Sequence, residues 1–584
     1  MSRDSSGPGP DRAVRVTEDE QLAETEDRTG AFPRLNRGQI DALARYGERR
    51  PTHAGEVLFR EGDREYDLHV ILEGKVAIVE GYGSPRERLI GVHGAGRFLG
   101  ELNLLTGQAS FLTAVVVEPG EVLVVPVERL RELVTQDSAL GDLILRAFLL
   151  RRYVLIGLGA GFRIVGSRYN PDTRRLREFA ARNRLPHHWI DLEEDPEAEA
   201  LLRELGVSPD ETPVVIYGGH EVLRNPSTME LARLFGLPVP GPKDTVCDLV
   251  VVGAGPAGLA AAVYGASEGL DTVALDAIAT GGQAGTSSRI ENYLGFPAGI
   301  SGGELAERAV LQAEKFGAEF AVPADATSLE RNDDHYVVGL SDGSSMRGRT
   351  LVIATGVRYR RLPVERLEEF EGSSVYYAAT LMEAQVCRGD PIVVVGGGNS
   401  AGQATLFLSG YADRVRLVVR EHDLGENMSR YLVDRILRTP GVEVLCHTEA
   451  RELLGHDGAL EAVAVEDIET GERRELEARA LFVFIGADPH TRWLGGQIAL
   501  DSGGYILTGD AACDDDEVLR DRDGHQPLML ETSAPGIFAA GDVRSGSIKR
   551  VASAVGEGAM AVRMVHERLG DQRRAEAAVV HTQA

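Results

Sequence analysis

Two glycine-rich turns constrain the fold of this 584-residue chain more than any other feature of its sequence. The first is Gly253-x-Gly255-x-x-Gly258, which follows the strand-like run DLVVV and precedes a helical stretch of small apolar residues. Glycines at this spacing permit a tight turn and let ligand phosphates approach the N-terminus of the helix. Asp276 ends the next strand-like run, about 20 residues further on, where an acid would accept ribose hydroxyls. The segment therefore predicts a dinucleotide-binding unit.

A second copy of this arrangement occurs at IVVVGGGNSAGQATLF, which places Gly396, Gly398 and Ala401 in the three glycine positions. It is followed by the strand-like run VRLVVR. Two dinucleotide sites in one chain imply two nucleotide cofactors, a flavin and a nicotinamide. We therefore expect a multidomain α/β protein with two Rossmann-like dinucleotide-binding domains. At about 150 residues a domain, the chain has room for roughly four domains in all.

Charge and composition argue against several other classes of protein. The net charge of −28 repels nucleic acids and anionic lipid surfaces, so we expect no nucleic-acid partner. Residues 1–32 are polar and lack the apolar segment of a secretory signal, which predicts a disordered tail. The apolar run at 249–266 is long enough for a membrane span, but its glycines have the spacing of a turn and helix, so we expect no membrane span. Four scattered cysteines without a CxxC pair predict no disulfide framework, no metal site and a cytoplasmic location.

Residues 33–150 contain short β-type runs separated by Gly or Pro, which predicts a β-barrel with helical ends. The order of their turns and the sequence Gly100-Glu101-Leu resemble the cyclic-nucleotide-binding domain. In that family a GEL…PRxAT cassette binds the ligand, with backbone amides and an Arg at the cyclic phosphate and the Glu at the ribose. Ser110 stands at the Arg position, so a charge-assisted phosphate contact is missing. The resemblance implies a cyclic nucleotide as ligand, and a barrel that serves only docking or dimerisation is an open alternative.

Residues 160–240 predict strands and helices in the order β-α-β-α-β-β-α, which resembles the thioredoxin or glutaredoxin fold. Thr212-Pro213 falls where that family has its cis-proline. The redox pair of the family would lie at the start of the first helix, where this chain reads SRYNPDT, and no cysteine precedes Cys247. Thiol chemistry is therefore excluded in this region, and we expect a docking or spacer domain.

The remaining residues, from about 246, resemble thioredoxin reductase. The run GGQAGTSSRIENYLGFP, which contains Gly282, Gln283 and Asn292, is similar to the flavin-contacting loop of that family. GIFAAGDVRSG places Asp542 where the family holds the ribityl chain of its flavin. The resemblance implies that FAD binds at the first glycine turn and NADPH at the second, and that the protein is a homodimer.

In thioredoxin reductases the NADPH domain is inserted into the FAD domain. The resemblance thus implies an FAD-binding domain at 246–357 and 487–584 and an NADPH-binding domain at 358–486. The family binds the 2′-phosphate of NADPH with an HRR run, of which only Arg420 has a counterpart here. One Arg favours NADPH over NADH, whereas the neighbouring Glu421 opposes that preference.

The main departure from the family is in VYYAATLMEAQ. Where thioredoxin reductases have the CATC disulfide that takes electrons from the flavin, this chain has Ala378 and Leu381 at the cysteine positions. No internal dithiol is then available to pass electrons on. Cys387 lies nearby and is interpreted as a small core residue, with a substitute catalytic cysteine as the alternative.

Three hypotheses for function follow from these observations. The first is an NADPH-dependent FAD enzyme that gives electrons directly to an external acceptor, such as a ferredoxin-like protein, a quinone or oxygen, under regulation by the N-terminal domain. The second is a nucleotide or redox sensor with little turnover. The third, thioredoxin-disulfide reductase activity, follows the family but lacks its cysteine pair.

Overall fold

The computed structural model describes residues 23–583 with several gaps, and the description below covers these residues only. The residues outside it within that span are 28–29, 85–86, 197, 219–220, 240–244, 288, 333, 372, 378, 380, 457 and 513–525. The chain divides into two compact units, Met1–Pro238 and Val239–Ala584. In the described part of the chain, no helix combines the length and apolar character that a membrane crossing requires.

The first module of the N-terminal unit is one antiparallel sheet with four helices. Its strands are β1 (Glu48–Pro51), β2 (Val57–Phe59), β3 (Leu68–Glu80), β4 (Arg88–Gly94), β5 (Phe98–Leu99) and β6 (Thr113–Val125). Its helices are α1 (Arg37–Leu43), α2 (Asn103–Thr106), α3 (Val127–Gln136) and α4 (Ser138–Gly157). The strand order is β1-β6-β3-β4, with β2 on β6 and β5 on β3. This sheet-rich module with helical ends agrees with the sequence-based expectation.

The tail predicted at residues 1–32 is shorter than the sequence indicates, because described residues near its end contact the sheet. Residues 1–22 lie outside the description, but Thr25 is attached to β4. The Thr25 backbone N–H donates to the Val92 carbonyl, and the Val92 N–H donates to Thr25 Oγ1, both at 2.9 Å. The ring of Phe32 lies 4.8 Å from that of His93. These contacts are with a strand far along the chain, so no local pattern signals them.

The second module of this unit is a four-stranded sheet with helices. Its strands are β7 (Phe162–Val165), β8 (His187–Ile190), β9 (Val214–Tyr217) and β10 (Glu221–Arg224), and its helices are α5 (Pro171–Arg182), α6 (Ala198–Glu204) and α7 (Thr228–Phe235). The sheet order is β10-β9-β7-β8, with β8 parallel to β7 and the other neighbouring pairs antiparallel. The element order is the predicted one, and the Thr212-Pro213 peptide bond is cis.

The two modules of the N-terminal unit share an aromatic cluster around Phe235, the last residue of α7. Its fully buried ring lies 4.4 Å from the ring of Phe162, 5.2 Å from that of Tyr217 and 5.7 Å from that of Phe111, between ring centroids. Because Phe111 belongs to the first module and the other rings to the second, burial of these rings joins the two sheets into one unit.

The C-terminal unit contains the two predicted dinucleotide-binding regions. Its strands are β11 (Cys247–Val252), β12 (Thr272–Leu275), β13 (Glu319–Ala321), β14 (Ala326–Arg331), β15 (Tyr336–Leu340), β16 (Ser345–Ile353), β17 (Val357–Tyr359), β18 (Val375–Tyr376), β19 (Pro391–Val395), β20 (Arg414–Val418), β21 (Val442–Leu445), β22 (Thr448–His456), β23 (Ala459–Asp467), β24 (Arg473–Glu477), β25 (Ala480–Val483), β26 (Ala487–Pro489) and β27 (Ile537–Ala539). Its helices are α8 (Pro256–Ser267), α9 (Gly302–Lys315), α10 (Leu367–Phe370), α11 (Leu381–Val386), α12 (Asn399–Leu408), α13 (Arg430–Ile436) and α14 (Val551–Gln583).

Two mostly parallel sheets organise this unit. The first has the order β13-β12-β11-β16-β15-β14, with β27 paired to the C-terminal end of β16, and the second has the order β18-β25-β19-β20-β21. A separate antiparallel sheet is formed by β22, β23 and β24. The short strands β17 and β26 pair with each other, Val357 opposite Pro489, next to the predicted bounds of the inserted NADPH domain. Each parallel sheet therefore has a glycine turn directly after a central strand, β11 or β19.

The aromatic cluster around Phe235 yields a stability prediction. Phe235→Ala is expected to lower the free energy of unfolding of the N-terminal unit by about 3–5 kcal/mol, because it leaves a cavity between the two modules. The measurement is urea unfolding followed by the fluorescence of Trp189 in a Trp493→Phe background, since the chain has 2 tryptophans. Phe316→Ala, at a ring that is 42% exposed, is the control and should change the value by less than about 0.5 kcal/mol. Equal effects of both substitutions would contradict the structure.

Candidate functional site

The first glycine turn has a geometry that only glycine permits. Gly253 has φ +103°, and a Cβ there would lie 2.4 Å from the carbonyl oxygen of Ala354. A Cβ on Gly258 would lie 1.8 Å from the carbonyl oxygen of Gly253. Gly255 is the N-cap of α8, and no side chain caps that helix. The first N–H groups of α8 are thus left for an anionic ligand such as a pyrophosphate.

Asp276 lies beside this turn, at the end of β12. Its Oδ2 accepts the Ala254 N–H at 2.9 Å, and its Oδ1 accepts the N–H groups of Ile278 and Ala279, each at 3.1 Å. These bonds fix the carboxylate next to the glycine turn. An ionised carboxylate has further lone pairs, so it can still accept a ribose hydroxyl.

Two further predicted flavin-binding segments reach the same helix terminus. Gly282 has φ +54°, and a Cβ there would lie 2.9 Å from the Cα of Gly255, so the two loops approach this closely only because residue 282 is glycine. A Cβ on Gly541, the neighbour of Asp542, would lie 3.0 Å from the Cβ of Ala257. The structure therefore brings Gly282 and Asp542 to the first turn of α8.

The other predicted residues of the flavin loop have different surroundings. The Nε2 of Gln283 donates to the Val357 carbonyl at 2.5 Å and attaches the loop to β17. Asn292 is exposed, and the described contacts do not bring its side chain to the glycine turn.

Asp542 is half-buried, and this burial raises the pKa of its carboxyl above the ordinary value.

The second glycine turn repeats the geometry of the first. Gly396 has φ +142°, and a Cβ there would lie 2.3 Å from the carbonyl oxygen of Phe484. Gly398 is the N-cap of α12, again without a capping side chain, and the space around its Cα is open. Ala401 is fully buried on α12. Both turns therefore fit the pyrophosphate of a dinucleotide.

The residues after β20 bear on the choice of nicotinamide nucleotide. Arg420 is exposed, whereas the Oε2 of Glu421 would lie 2.5 Å from a Cβ on Gly397. The Glu421 carboxylate thus lies over the glycine turn, and its Oε1 accepts from Asn427 Nδ2 at 3.2 Å. The sequence identifies both residues, but only the structure shows that the acid is the one that faces the turn.

The sequence predicts Ala378 and Leu381 at the cysteine positions of the related family. Ala378 lies outside the described residues, and Leu381 is the first residue of α11. Cys387 follows that helix and is 2% exposed, and its Sγ donates to the Ala384 carbonyl at 3.8 Å. Burial raises the pKa of the Cys387 thiol to about 11, so it is not a thiolate at neutral pH.

The predicted nucleotide residues of the first module lie together in its interior. Gly100 has φ +125°, and Glu101 and Ser110 are both buried. The Ser110 hydroxyl donates to the Leu112 carbonyl at 2.8 Å. Burial raises the pKa of the Glu101 carboxyl to about 7, against the opposing effect of nearby arginines. Among the described residues, no group of three or more His, Cys, Asp or Glu side chains is placed to hold a metal ion.

Comparison with known proteins identifies the larger part of the chain. The profile of the family "Pyridine nucleotide-disulphide oxidoreductase" matches residues 247–558, slightly more than half of the chain. The chain belongs to this family. A second profile, "Cyclic nucleotide-binding domain", matches residues 49–137 and confirms the predicted resemblance of the first module.

Relatives narrow the type of pyridine nucleotide-disulphide oxidoreductase. The chain is 35% identical over 318 residues to the thioredoxin reductase of Treponema pallidum, an alignment that covers 54% of this chain and 95% of the relative. It is 32% identical over 323 residues to the "34.2 kDa protein in rubredoxin operon" of Clostridium pasteurianum, covering 55% and 97%. The crystal structure of Lactococcus lactis thioredoxin reductase (FR conformation) matches with a TM-score of 0.50 and 28% identity, covering 56% of this chain and 99% of that one.

The chain is therefore an oxidoreductase of the thioredoxin reductase type. Members of the thioredoxin reductase family use FAD and NADPH, as predicted for this chain. The two glycine turns fit the pyrophosphates of these cofactors, because each leaves the N-terminus of a helix without a capping side chain.

The positions of Arg420 and Glu421 yield a prediction for nucleotide preference. Arg420→Ala should lower the ratio of kcat/KM for NADPH to that for NADH by about tenfold, because one charge-assisted phosphate contact is lost. Glu421→Gln should raise this ratio by about fivefold, because it removes a negative charge from beside the 2′-phosphate. The measurement is flavin reduction by each nucleotide in a stopped-flow instrument.

Arg414→Ala is the matched control, since Arg414 begins the same strand that Arg420 follows. It should leave the ratio unchanged. A ratio that responds to Arg414→Ala as strongly as to Arg420→Ala would show that net charge, rather than contact with the 2′-phosphate, sets the preference.

Proposed function

We propose that the protein is an NADPH-dependent FAD flavoprotein oxidoreductase that transfers electrons from NADPH, through FAD, directly to an external acceptor. The proposal rests on the lack of a reactive cysteine pair next to the flavin. Ala378 and Leu381 occupy the positions of the family's disulfide, and Cys387 is buried with a raised pKa. Reduction of a disulfide requires a thiolate that can reach its partner, and neither condition is met by Cys387.

The residues of the two turns bind and orient the nucleotides in this proposal. The uncapped N-termini of α8 and α12 bind the two pyrophosphates, and Asp276 accepts ribose hydroxyls. Gly541, the neighbour of Asp542, lies against α8, and Asp542 binds the ribityl chain in this proposal. The chemistry that FAD supplies when bound is acceptance of a hydride from NADPH and release of the electrons to an acceptor. With a quinone Q the balance is NADPH + H⁺ + Q → NADP⁺ + QH₂.

The contact between the two nucleotide-binding regions permits movement. Arg435 on α13 forms an ion pair with Glu291 of the flavin loop, with Nη1 and Oε2 separated by 2.9 Å. Their side chains are 52% and 32% exposed, and ion pairs this exposed contribute little to stability. We infer that the NADPH region can rotate relative to the FAD region, as in the thioredoxin reductases that the chain resembles.

The acceptor in this proposal is a small molecule or an electron-carrier protein. The name of the Clostridium pasteurianum relative places it in a rubredoxin operon, which supports an electron-carrier protein. We also infer that the second module is a thioredoxin-like domain without cysteines that serves as a docking domain. It is not a relay, since no cysteine precedes Cys247. The regulatory role of the first module belongs to the same proposal.

Thioredoxin-disulfide reduction is the second candidate, because relatives carry that name. It would need another cysteine to replace the missing pair. A nucleotide or redox sensor is the third, and it would accept electrons from NADPH once without further turnover.

The electron path yields a prediction for the purified protein. It should contain FAD, oxidise NADPH slowly with oxygen and faster with a quinone or an iron–sulfur carrier, and fail to reduce thioredoxin. Cys387→Ser should leave the oxidase rate unchanged, because the thiol is buried and protonated. The measurements are anaerobic titration with NADPH followed by steady-state NADPH oxidation with each acceptor.

The double variant Ala378→Cys/Leu381→Cys is the positive control for the missing disulfide. It should gain reduction of 5,5′-dithiobis(2-nitrobenzoic acid) that the natural chain lacks. Reduction of thioredoxin by the natural chain at about one turnover per second or faster, abolished by Cys387→Ser, would overturn the proposal. A single reduction with no turnover for any acceptor would support the sensor instead.

A further inference from the structure

The first module encloses a cavity of about 430 Å³ between its sheet and α4. Sites for small molecules have volumes of about 300–1,000 Å³, so this cavity is large enough for one. Apolar side chains from the sheet and from α4 make up most of its wall. They include Phe59, Ile78, Leu99, Leu112, Val154 and Leu155.

The residues at the phosphate-binding positions of the cyclic nucleotide cassette make other contacts in this chain. Ser110 replaces the Arg, and its hydroxyl donates to the Leu112 carbonyl. The Ser110 carbonyl accepts from the Tyr217 hydroxyl at 2.9 Å, and the Ala109 N–H donates to the Phe235 carbonyl at 3.1 Å. Tyr217 and Phe235 belong to the second module. That module therefore takes the place where a phosphate would be bound.

The buried cation that lines the cavity is directed at backbone carbonyls. Arg151 Nε donates to the Ala31 carbonyl at 2.8 Å, its Nη1 to that of Gly100 at 2.7 Å, and its Nη2 to that of Phe98 at 3.0 Å. Its guanidinium also lies 4.5 Å from the centre of the Phe98 ring. These contacts attach α4 to the sheet and leave Arg151 poorly oriented for an anionic ligand.

Glu101 is an acidic group at the inner wall of the cavity, which Glu26 also lines. It is 6% exposed, and its Oε2 has no hydrogen-bond partner among the described residues. A buried polar atom without a partner is costly, and a donor on a ligand would remove that cost. A ligand anion would instead be opposed by the carboxylate, since its pKa of about 7 leaves it partly ionised at neutral pH.

We propose that this cavity binds an uncharged, largely apolar molecule with one hydrogen-bond donor, which donates to Oε2 of Glu101. The apolar wall supplies most of the affinity, and Glu101 sets the orientation of the ligand. The ligand class therefore differs from the cyclic nucleotide that the module's family suggests. This proposal concerns the N-terminal unit alone and does not depend on the electron acceptor.

The probe for this proposal is N-phenyl-1-naphthylamine, a neutral apolar dye with one N–H donor whose fluorescence rises in apolar surroundings. Its matched control is 8-anilinonaphthalene-1-sulfonate, which has the same rings and an added sulfonate. With the full-length FAD-loaded protein, the neutral dye should bind at least about tenfold more tightly, because burial of an unpaired anion is costly. Millimolar cyclic AMP should leave the bound dye in place.

Variants locate the binding and test the donor. Leu155→Trp fills the cavity and should weaken binding of the neutral dye by about tenfold or more. Tyr153→Trp, at a side chain on the same helix that is 38% exposed, should change it by less than about twofold. Glu101→Met keeps the length of the side chain but removes the acceptor, and should weaken binding by about fivefold to tenfold. Val154→Phe replaces Leu155→Trp if the latter fails to fold, as judged by circular dichroism and FAD content.

Four results would overturn the proposal. One is equal affinity for the two dyes, a second is binding that none of the cavity variants weakens, and a third is displacement of the neutral dye by cyclic AMP at millimolar concentration or below. The fourth concerns Glu101. If Glu101→Met binds the dye as tightly as the natural chain does, the donor contact to Glu101 is wrong. The proposal would be supported if Leu155→Trp and Glu101→Met bind the neutral dye more weakly and Tyr153→Trp binds it as the natural chain does.

Discussion

The close approach of backbone to backbone at two glycines is the constraint on which the C-terminal unit depends. At Gly253 and Gly396 a carbonyl oxygen of the neighbouring strand connection lies 2.4 Å and 2.3 Å from where a Cβ would be. A side chain at either position would push apart the carboxyl ends of two adjacent parallel strands. Shortly after each of these glycines the chain enters a helix whose first N–H groups have no capping side chain. Sheet packing and nucleotide binding are therefore set by one local feature.

This local origin explains how much the sequence predicts. The glycine turns, the strand-end Asp276 and the order of elements in both modules depend on neighbouring residues, and the structure has them where the patterns indicate. The orientation of Glu421 over Gly397 and the exposure of Asn292 depend on side-chain direction and loop path, which residue spacing does not encode. The contacts of Thr25 with a distant strand have no periodic signal, because the pairing partners are far apart in sequence.

The sequence predicts two departures from the related families, and each replaces a charged or reactive group by an uncharged one. Ser110 is predicted to take the place of the phosphate-binding Arg, and Ala378 and Leu381 that of the redox cysteines. In the first case the neighbouring backbone groups bond to Tyr217 and Phe235 of the second module, so the substitution is matched by a new packing contact. On this prediction an anion site has become part of an interface between modules, whereas both dinucleotide turns keep the features that phosphate binding requires.

The proposed function combines two nucleotide turns with the predicted lack of the cysteine pair, and this combination restricts where electrons can go. A thiol with a pKa of about 11 and 2% exposure, as at Cys387, cannot serve as an intermediate carrier at neutral pH. In the proposed function the acceptor therefore reaches the flavin itself, and the NADPH region moves away after hydride transfer. The ion pair between Arg435 and Glu291 is exposed and therefore weakened by salt, so in the proposed function it favours one arrangement of the two regions without fixing it. A weak ion pair of this kind is compatible with a cycle in which NADPH and the acceptor approach the same flavin in turn, because little free energy is needed to leave either arrangement.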